Sequence, residues 1–316
     1  MRALRSVDAD IAPIDDHDVS SPWAPLANAT DLVLRTPGQP SLYLWGQGFH
    51  TRGADGLLFV EVTTPRPVGR DHLVGIRSVP SAGPNTKDDA VREAEVEAEY
   101  LWPLLRGHNV NAFNVTPSGL YVIVAHDPDN LTSVLTVDEL AQRAPRLFDY
   151  LEPWIHRLAG RSPYGELHPT RERPWGIQGP WGHLNRSANL AVTRYMHPQR
   201  RPPAAVISPE FDERLGRVTT AYPNNKTNFV AVGSADHGAE AWYLVSFVNA
   251  PVAQDSIARF VSSTTIPPSA LQRLPILRYS TDNALQGDLV AKGRAVAAGE
   301  ASIQDLDAVV RALVEN

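Results

Sequence analysis

A chain of 316 residues, 43% hydrophobic and 20% charged, can bury a sizeable core as one long domain or two modest ones, the composition of an ordinary soluble globular protein. It contains no cysteine, which excludes disulfides, a thiol nucleophile and cysteine metal sites, and no membrane span or signal peptide is expected, so the chain reads as cytoplasmic. A formal net charge of −6 argues against a protein that coats nucleic acid without selectivity.

The charge is unevenly spread. Between Arg143 and Arg201 stand ten arginines (143, 146, 157, 161, 171, 173, 186, 194, 200 and 201) against four acids (Asp149, Glu152, Glu166, Glu172), so this window carries +6 and the remainder −12. None of the ten is lysine; the chain's lysines are Lys87, Lys226 and Lys292. GC-rich codon usage accounts for arginine over lysine but not for the clustering. Arginine's planar fork suits phosphate and guanine edges. These side chains are therefore expected to converge on one nucleic-acid-facing surface.

In chain order, residues 1–30 read as an acidic flexible arm; Asp15, Asp16 and Asp18 with His17 fit a solvated acidic stretch better than a metal site. Short apolar strands are expected at 32–34 and 41–45, broken by Pro37-Gly38. A glycine-rich turn, 46–55, then leads to a strand at 57–62. Because a strand rather than a helix is expected after that turn, nucleotide-binding readings fail, and its residues read as mostly structural. A strand is expected at 73–78, and an acidic amphipathic helix at 88–100 leading into the apolar run Tyr100–Leu105. Next comes a turn that presents Arg106 and Asn109 outward, followed by a buried strand at 120–124.

Thr136, with Glu139 three residues on, forms a capping box opening a helix that continues through residue 158, with apolar positions 147, 148, 151, 154, 155 and 158 on one face. Residues 165–186 form a long aperiodic loop interleaving Arg171, Arg173, Gln178, Asn185 and Arg186 with Trp175 and Trp181. Loops this long inside compact domains are usually functional. Such a loop can hold cations and amides against groove edges while tryptophans pack beneath or stack. Strands follow at 189–195, 204–207, 217–221 and 229–232, with a polar turn at 222–228 whose Asn224 and Lys226 can touch nucleic acid. The chain closes with a helix at 239–250, a segment at 266–276 and a helical pair at 282–298 and 302–314.

Several of these segments, in order, resemble one family. Pro103-Leu104-Leu105-Arg106-Gly107-His108-Asn109-Val110 resembles the P-L-L-R-G-R-D-I segment of the C-terminal DNA target-recognition domains of TaqI-like, type IIG and PglX (BREX defence) adenine-N6 methyltransferases. The turn at 46–55 resembles their G-x-x-T-G hairpin, departing at Arg52 and Asp55. Tyr150, Leu151, Leu158 and Arg161 match the helix preceding their sequence-reading loops. Residues 242–250 are similar to their Y-Y-L-x-x-x-L-N-S helix, with Ala250 for Ser, and 266–276 to the segment ending L-P-I-P. The similarity spans about residues 45–316, with no methyltransferase domain ahead of it.

The methyltransferase chemistry itself is missing from the sequence. Neither Pro202-Pro203 nor Pro267-Pro268 has the preceding polar and following aromatic residue that holds a flipped adenine, and no glycine-rich S-adenosylmethionine loop occurs. The resemblance thus implies an α+β, free-standing specificity subunit with three parts. These are the arm at 1–30, a β-rich recognition region with long loops at 31–235, and a helical region at 236–316 packed on it. It implies no catalysis and no cofactor, S-adenosylmethionine belonging only to a partner methyltransferase that lacks its own recognition domain. Double-stranded DNA would be the ligand, in restriction–modification or phage defence. The arginines between 143 and 201, Arg143, Arg157, Arg161 and Arg194 among them, would anchor phosphates, and loop 165–186 would read base edges in the major groove. Two other readings remain: an inhibitory or decoy protein that keeps the fold without binding DNA, and a small metal-dependent nuclease using Glu166, Glu172, Glu210 and Asp212.

Overall fold

The computed structural model describes residues 11–13, 23–25, 41–69, 71–83, 85–161, 169–179, 188–232 and 238–315. The architecture is α+β, with strands concentrated before Val232 and helices closing the chain. Strands β1 (Ile11–Pro13) and β2 (Trp23–Pro25) pair antiparallel within the stretch expected to be a flexible arm. There follow β3 (Gly46–Gln47), the helical turn α1 (Asp55–Leu58), β4 (Phe59–Val62), β5 (Leu73–Ser78), β6 (Glu93–Glu97) and β7 (Leu101–Leu105). Next are β8 (Val110–Asn111), β9 (Asn114–Val115), β10 (Leu120–Ile123), β11 (His126–Asp127) and β12 (Asn130–Val134). Helices α2 (Val137–Arg143), α3 (Pro145–Leu151) and α4 (Ile155–Ala159) precede β13 (Asn189–Arg194), β14 (Ala204–Ile207), β15 (Glu210–Asp212), β16 (Arg217–Thr219), β17 (Tyr222–Pro223) and β18 (Thr227–Val232). The chain ends with α5 (Ala239–Asn249), α6 (Pro251–Phe260), α7 (Pro268–Gln272), α8 (Ala284–Ala298) and α9 (Asp305–Glu315).

Two sheets organise these elements. The larger runs β17-β7-β10-β4-β5-β6, antiparallel except for the parallel β17–β7 pair; the smaller runs β14-β13-β18-β3 and is antiparallel throughout. β13 is the keel of the smaller sheet. Leu190 and Val192 face the core built on the larger sheet, while Ala191 faces a second core made with α5 to α9. β18 divides the same way, with Phe229 on one side and Val230 and Val232 on the other. A strand buried on both faces reads as an unbroken apolar run, as β13 nearly does.

Further expected elements differ, among them the strand expected at 41–45, which is irregular and gives way to β3 only at Gly46. The acidic stretch before Tyr100 is strand β6 and a 3-10 turn (Ala98–Tyr100), not a helix. Ala and Glu favour helix, yet Glu93-Ala94-Glu95-Val96 also alternates, and pairing with β5 buries Val96 while Glu93 and Glu95 stay exposed. Glu97 is buried instead, its carboxylate accepting from the amides of Arg146 (3.0 Å) and Leu147 (2.9 Å) at the start of α3. The expected strand at 57–62 begins two residues late, because Leu57 and Leu58 belong to α1. The single expected helix at 136–158 is three pieces: Pro145 restarts it as α3, and Pro153 sits in a 3-10 turn before α4. Its capping box is present, with Glu139 N donating to Thr136 Oγ1 (3.1 Å) and Thr136 N to Glu139 Oε2 (2.8 Å).

The Asn249 of the L-N-S-like segment has a structural task. Its amide donates to Ala204 O (2.8 Å) and accepts from Ala204 N (2.9 Å), closing the backbone of β14, an end strand of its sheet, against the end of α5. Asn249→Ala leaves two buried backbone groups without this partner, and a loss of about 1–3 kcal/mol in urea unfolding is expected.

Candidate nucleic-acid interface

The turn after β3 has little freedom. A side chain at Gly48 would meet the Pro223 and Asn224 carbonyls at 2.2 Å, so only glycine lets the strand pass this close to the 222–227 turn. Gly48 N donates to Thr227 O (3.0 Å), Phe49 N to Pro223 O (3.0 Å), and Gln47 Nε2 to Asn225 O (2.7 Å). His50 and Gln178 exchange both backbone hydrogen bonds, at 2.7 and 3.2 Å. These contacts bring 46–52, 178–179, Tyr195 and 225–226 around one polar cleft of about 530 Å³.

Its chemistry comes from Arg52, Lys226, His50, Gln178, Gln47 and Tyr195. Arg52 has a left-handed backbone (φ 56°) unusual for a non-glycine residue, its N donates to His50 Nδ1 (3.0 Å), and its Nη2 donates to Gln178 Oε1 (2.6 Å). Lys226 is exposed, and Tyr195 N donates to Lys226 O (2.9 Å). Beside it lies the Arg106–Asn109 turn: a side chain at Gly107 would meet Lys226 O at 2.2 Å. Arg194 reaches the same turn, Nε to Val110 O (2.7 Å) and Nη2 to Asn111 Oδ1 (3.1 Å). The histidines register this positive field. Burial first, then Arg52 and, more weakly, Lys226, push His50 below its usual range, with Asp55 opposing; burial and then Arg106 and Arg194 do the same to His108. No carboxylate lines the cleft among the described residues.

Those of the ten clustered arginines that lie among the described residues do not converge. Arg106, Gln178, Arg194 and Lys226 gather at or beside the cleft. Asn224 and Asn109 are buried turn residues: Asn224 Oδ1 accepts from Lys226 N (3.1 Å) and Asn109 Oδ1 from Arg106 N (3.1 Å). Trp175 is core, its Nε1 donating to Leu135 O (2.7 Å). Arg161 lies beside the cleft in the lining of an adjoining cavity of about 270 Å³, its donors taken up by main-chain carbonyls. Arg143 pairs with Asp127 (3.2 Å) and Arg157 with Asp89 (2.7 Å), while Arg201 pairs with Asp255 (2.6 Å) and Arg200 donates to Val261 O (3.0 Å). Arg171 and Arg173 are exposed near the start of α2, where Val137 N bonds Glu172 O (2.9 Å). Asn185, Arg186 and Glu166 lie outside the described residues, although the chain leaves those residues at Arg161 and at Gly179, the latter on the cleft wall. Linear clustering failed as a guide because acids distant in sequence meet the guanidinia in space. Arg52, His50, Gln47 and Tyr195 were missed; the signal was a cation and an imidazole inside a glycine-rich turn otherwise read as structural.

Arg161 organises this region. It is largely buried and donates to Leu158 O (2.9 Å), Thr51 O (2.6 Å), Pro174 O (2.7 Å) and Gly176 O (2.9 Å), with burial lowering its pKa to about 10. It thus ties the backbone next to Arg52 to the backbone two residues before Gln178. Arg161→Lys cannot span these acceptors, and a destabilisation of about 3 kcal/mol in urea unfolding is expected, together with faster amide exchange at residues 50–53 and 176–178.

His126 fixes the same segment from the other end. Ile177 N donates to its Nε2 (3.1 Å), so Nδ1 carries the proton and donates to Leu131 O (2.7 Å). Burial lowers its pKa from 6.5 to about 4. The unfolded chain therefore takes the proton first as pH falls: this stability is complete above about pH 6.5 and is lost progressively towards pH 4, by about 3 kcal/mol. Urea titrations from pH 7 to pH 4 are expected to show that loss in the wild type and a smaller one in His126→Gln.

A second cavity, of about 810 Å³, lies elsewhere and has the opposite character, with Glu210, Asp212 and Glu213 beside Arg214 in its lining. Asp212 accepts from Tyr121 Oη (3.0 Å) and from the Arg214 and Leu215 amides, so it serves its own turn. Among the described residues no group of three or more His, Asp or Glu is placed to hold a metal ion, and no helix is long and apolar enough to cross a membrane. No protein-family model and no curated protein matches this chain.

Proposed function

We propose that the chain is a non-catalytic DNA sequence-recognition module, with the cationic cleft as its DNA-facing surface. The observation that carries this reading is the grouping of Arg52, Lys226 and the Arg106 turn around amide-bearing Gln178 and Gln47, with no carboxylate among the described lining residues. Cations of this kind neutralise phosphates and set register, while amides and arginine forks exchange hydrogen bonds with base edges. A net charge of −6 suits a selective reader better than a coating protein.

Methyl transfer belongs, in this reading, to a separate methyltransferase subunit that binds S-adenosylmethionine and lacks its own recognition domain. The setting is cytoplasmic restriction–modification or phage defence. The support is the ordered resemblance from the glycine-rich turn to the C-terminal helices.

Two phosphate contacts, from Arg106 and Lys226, imply a slope of about −2 for log affinity against log salt, or roughly a 10-fold loss between 50 and 200 mM. Fluorescence anisotropy with random-sequence duplex DNA measures it. Arg106→Glu with Lys226→Glu is expected to abolish binding while preserving the thermal unfolding transition. Affinity indifferent to salt, or unchanged in that double variant, contradicts the proposal.

A further inference from the structure

Arg52 stands out within the cleft. Its backbone is held at φ 56°, a conformation that an L side chain adopts at a cost, and Gly53 follows at φ 85°. Glycine at position 52 would relieve that strain, yet the chain keeps an arginine. Three neighbours hold it there: His50 Nδ1 accepts its backbone amide (3.0 Å), Gln178 Oε1 accepts from Nη2 (2.6 Å), and Arg161 grips the preceding carbonyl, Thr51 O (2.6 Å). Gln178 is itself fixed by two backbone hydrogen bonds to His50. The guanidinium is half-buried and forms part of both the polar cleft and the smaller adjoining cavity of about 270 Å³.

Lys226 differs in each respect: it is exposed, and its ammonium is a point charge on a flexible stem. A buttressed planar fork and a loose ammonium in one cleft suit different tasks. We propose that Arg52 is a specificity-determining residue that reads a guanine through its O6 and N7 edge, with Gln178 as the positioning residue that orients the fork, while Lys226 anchors phosphate. This rests on the DNA-recognition reading above. A bidentate arginine–guanine pair discriminates against other bases by about 10- to 100-fold.

The test is selection of a randomised duplex pool on the wild-type protein and on three variants, followed by affinity and salt titration on the selected duplex and on duplexes changed at single positions. The wild type is expected to enrich a guanine at one or more positions. Arg52→Lys keeps the charge and is expected to lose discrimination at one guanine by about 10-fold or more, with preferences elsewhere and the salt slope nearly unchanged. Gln178→Ala, which leaves Arg52 in place, is expected to weaken the preference at that same position. Lys226→Ala is expected to lower affinity evenly across sequences and to reduce the salt slope by about 1. An Arg52→Lys protein that selects the wild-type motif, or one weakened uniformly, overturns the assignment to Arg52. Salt-dependent binding by the wild type without guanine enrichment overturns it too but leaves the DNA-binding reading standing. Failure of the wild type to bind DNA removes both.

Discussion

A guanidinium without a carboxylate among its described partners holds the candidate site together. Charge withdrawn from water is tolerated only if its donors are met. Arg161 meets that condition through main-chain carbonyls from three separate segments: the end of α4, the turn after β3, and the stretch around Trp175. Arg161 therefore sets the spacing between two walls that no secondary-structure ladder joins, apart from the single bridge between His50 and Gln178.

The cleft itself is assembled by close backbone approach. Gly48 and Gly107 permit the turn at 222–227 to lie against both the glycine-rich turn and the Leu-Leu-Arg-Gly turn. The same turn closes β18, whose neighbour β13 is buried on both faces. Positions of Lys226 and Tyr195 are thus inherited from a sheet whose central strands are buried on both faces, whereas Arg52 and Gln178 sit on irregular segments tied down by side chains. Rigid presentation of a few polar groups favours selective recognition over adaptable contact.

Much of this fold was legible in the sequence where a local rule agreed with the tertiary result. The Thr136–Glu139 box, the apolar run of β10 and the helices after Ala239 are such places. The Glu93–Glu97 stretch misled because its composition satisfies two periods at once, and pairing with β5 chose the strand. The site was less legible. Arginine density between 143 and 201 reflected several separate tasks, among them surface ion pairs to Asp89, Asp127 and Asp255 and a buried carbonyl clamp. No linear pattern reveals which acid a distant arginine will meet. The segment with P-L-L-R-G was informative for a reason other than its cation alone, since Gly107 is what lets Lys226 approach.

On the proposed reading, one cationic cleft, and not the dispersed arginines, faces DNA. Hydrogen–deuterium exchange of the full chain with and without a saturating selected duplex tests this most directly. Protection confined to residues 46–53, 106–109, 178–179 and 224–227 is the predicted result. Protection centred on residues 171–173 or 200–201 with the cleft unchanged, or none anywhere, would contradict it.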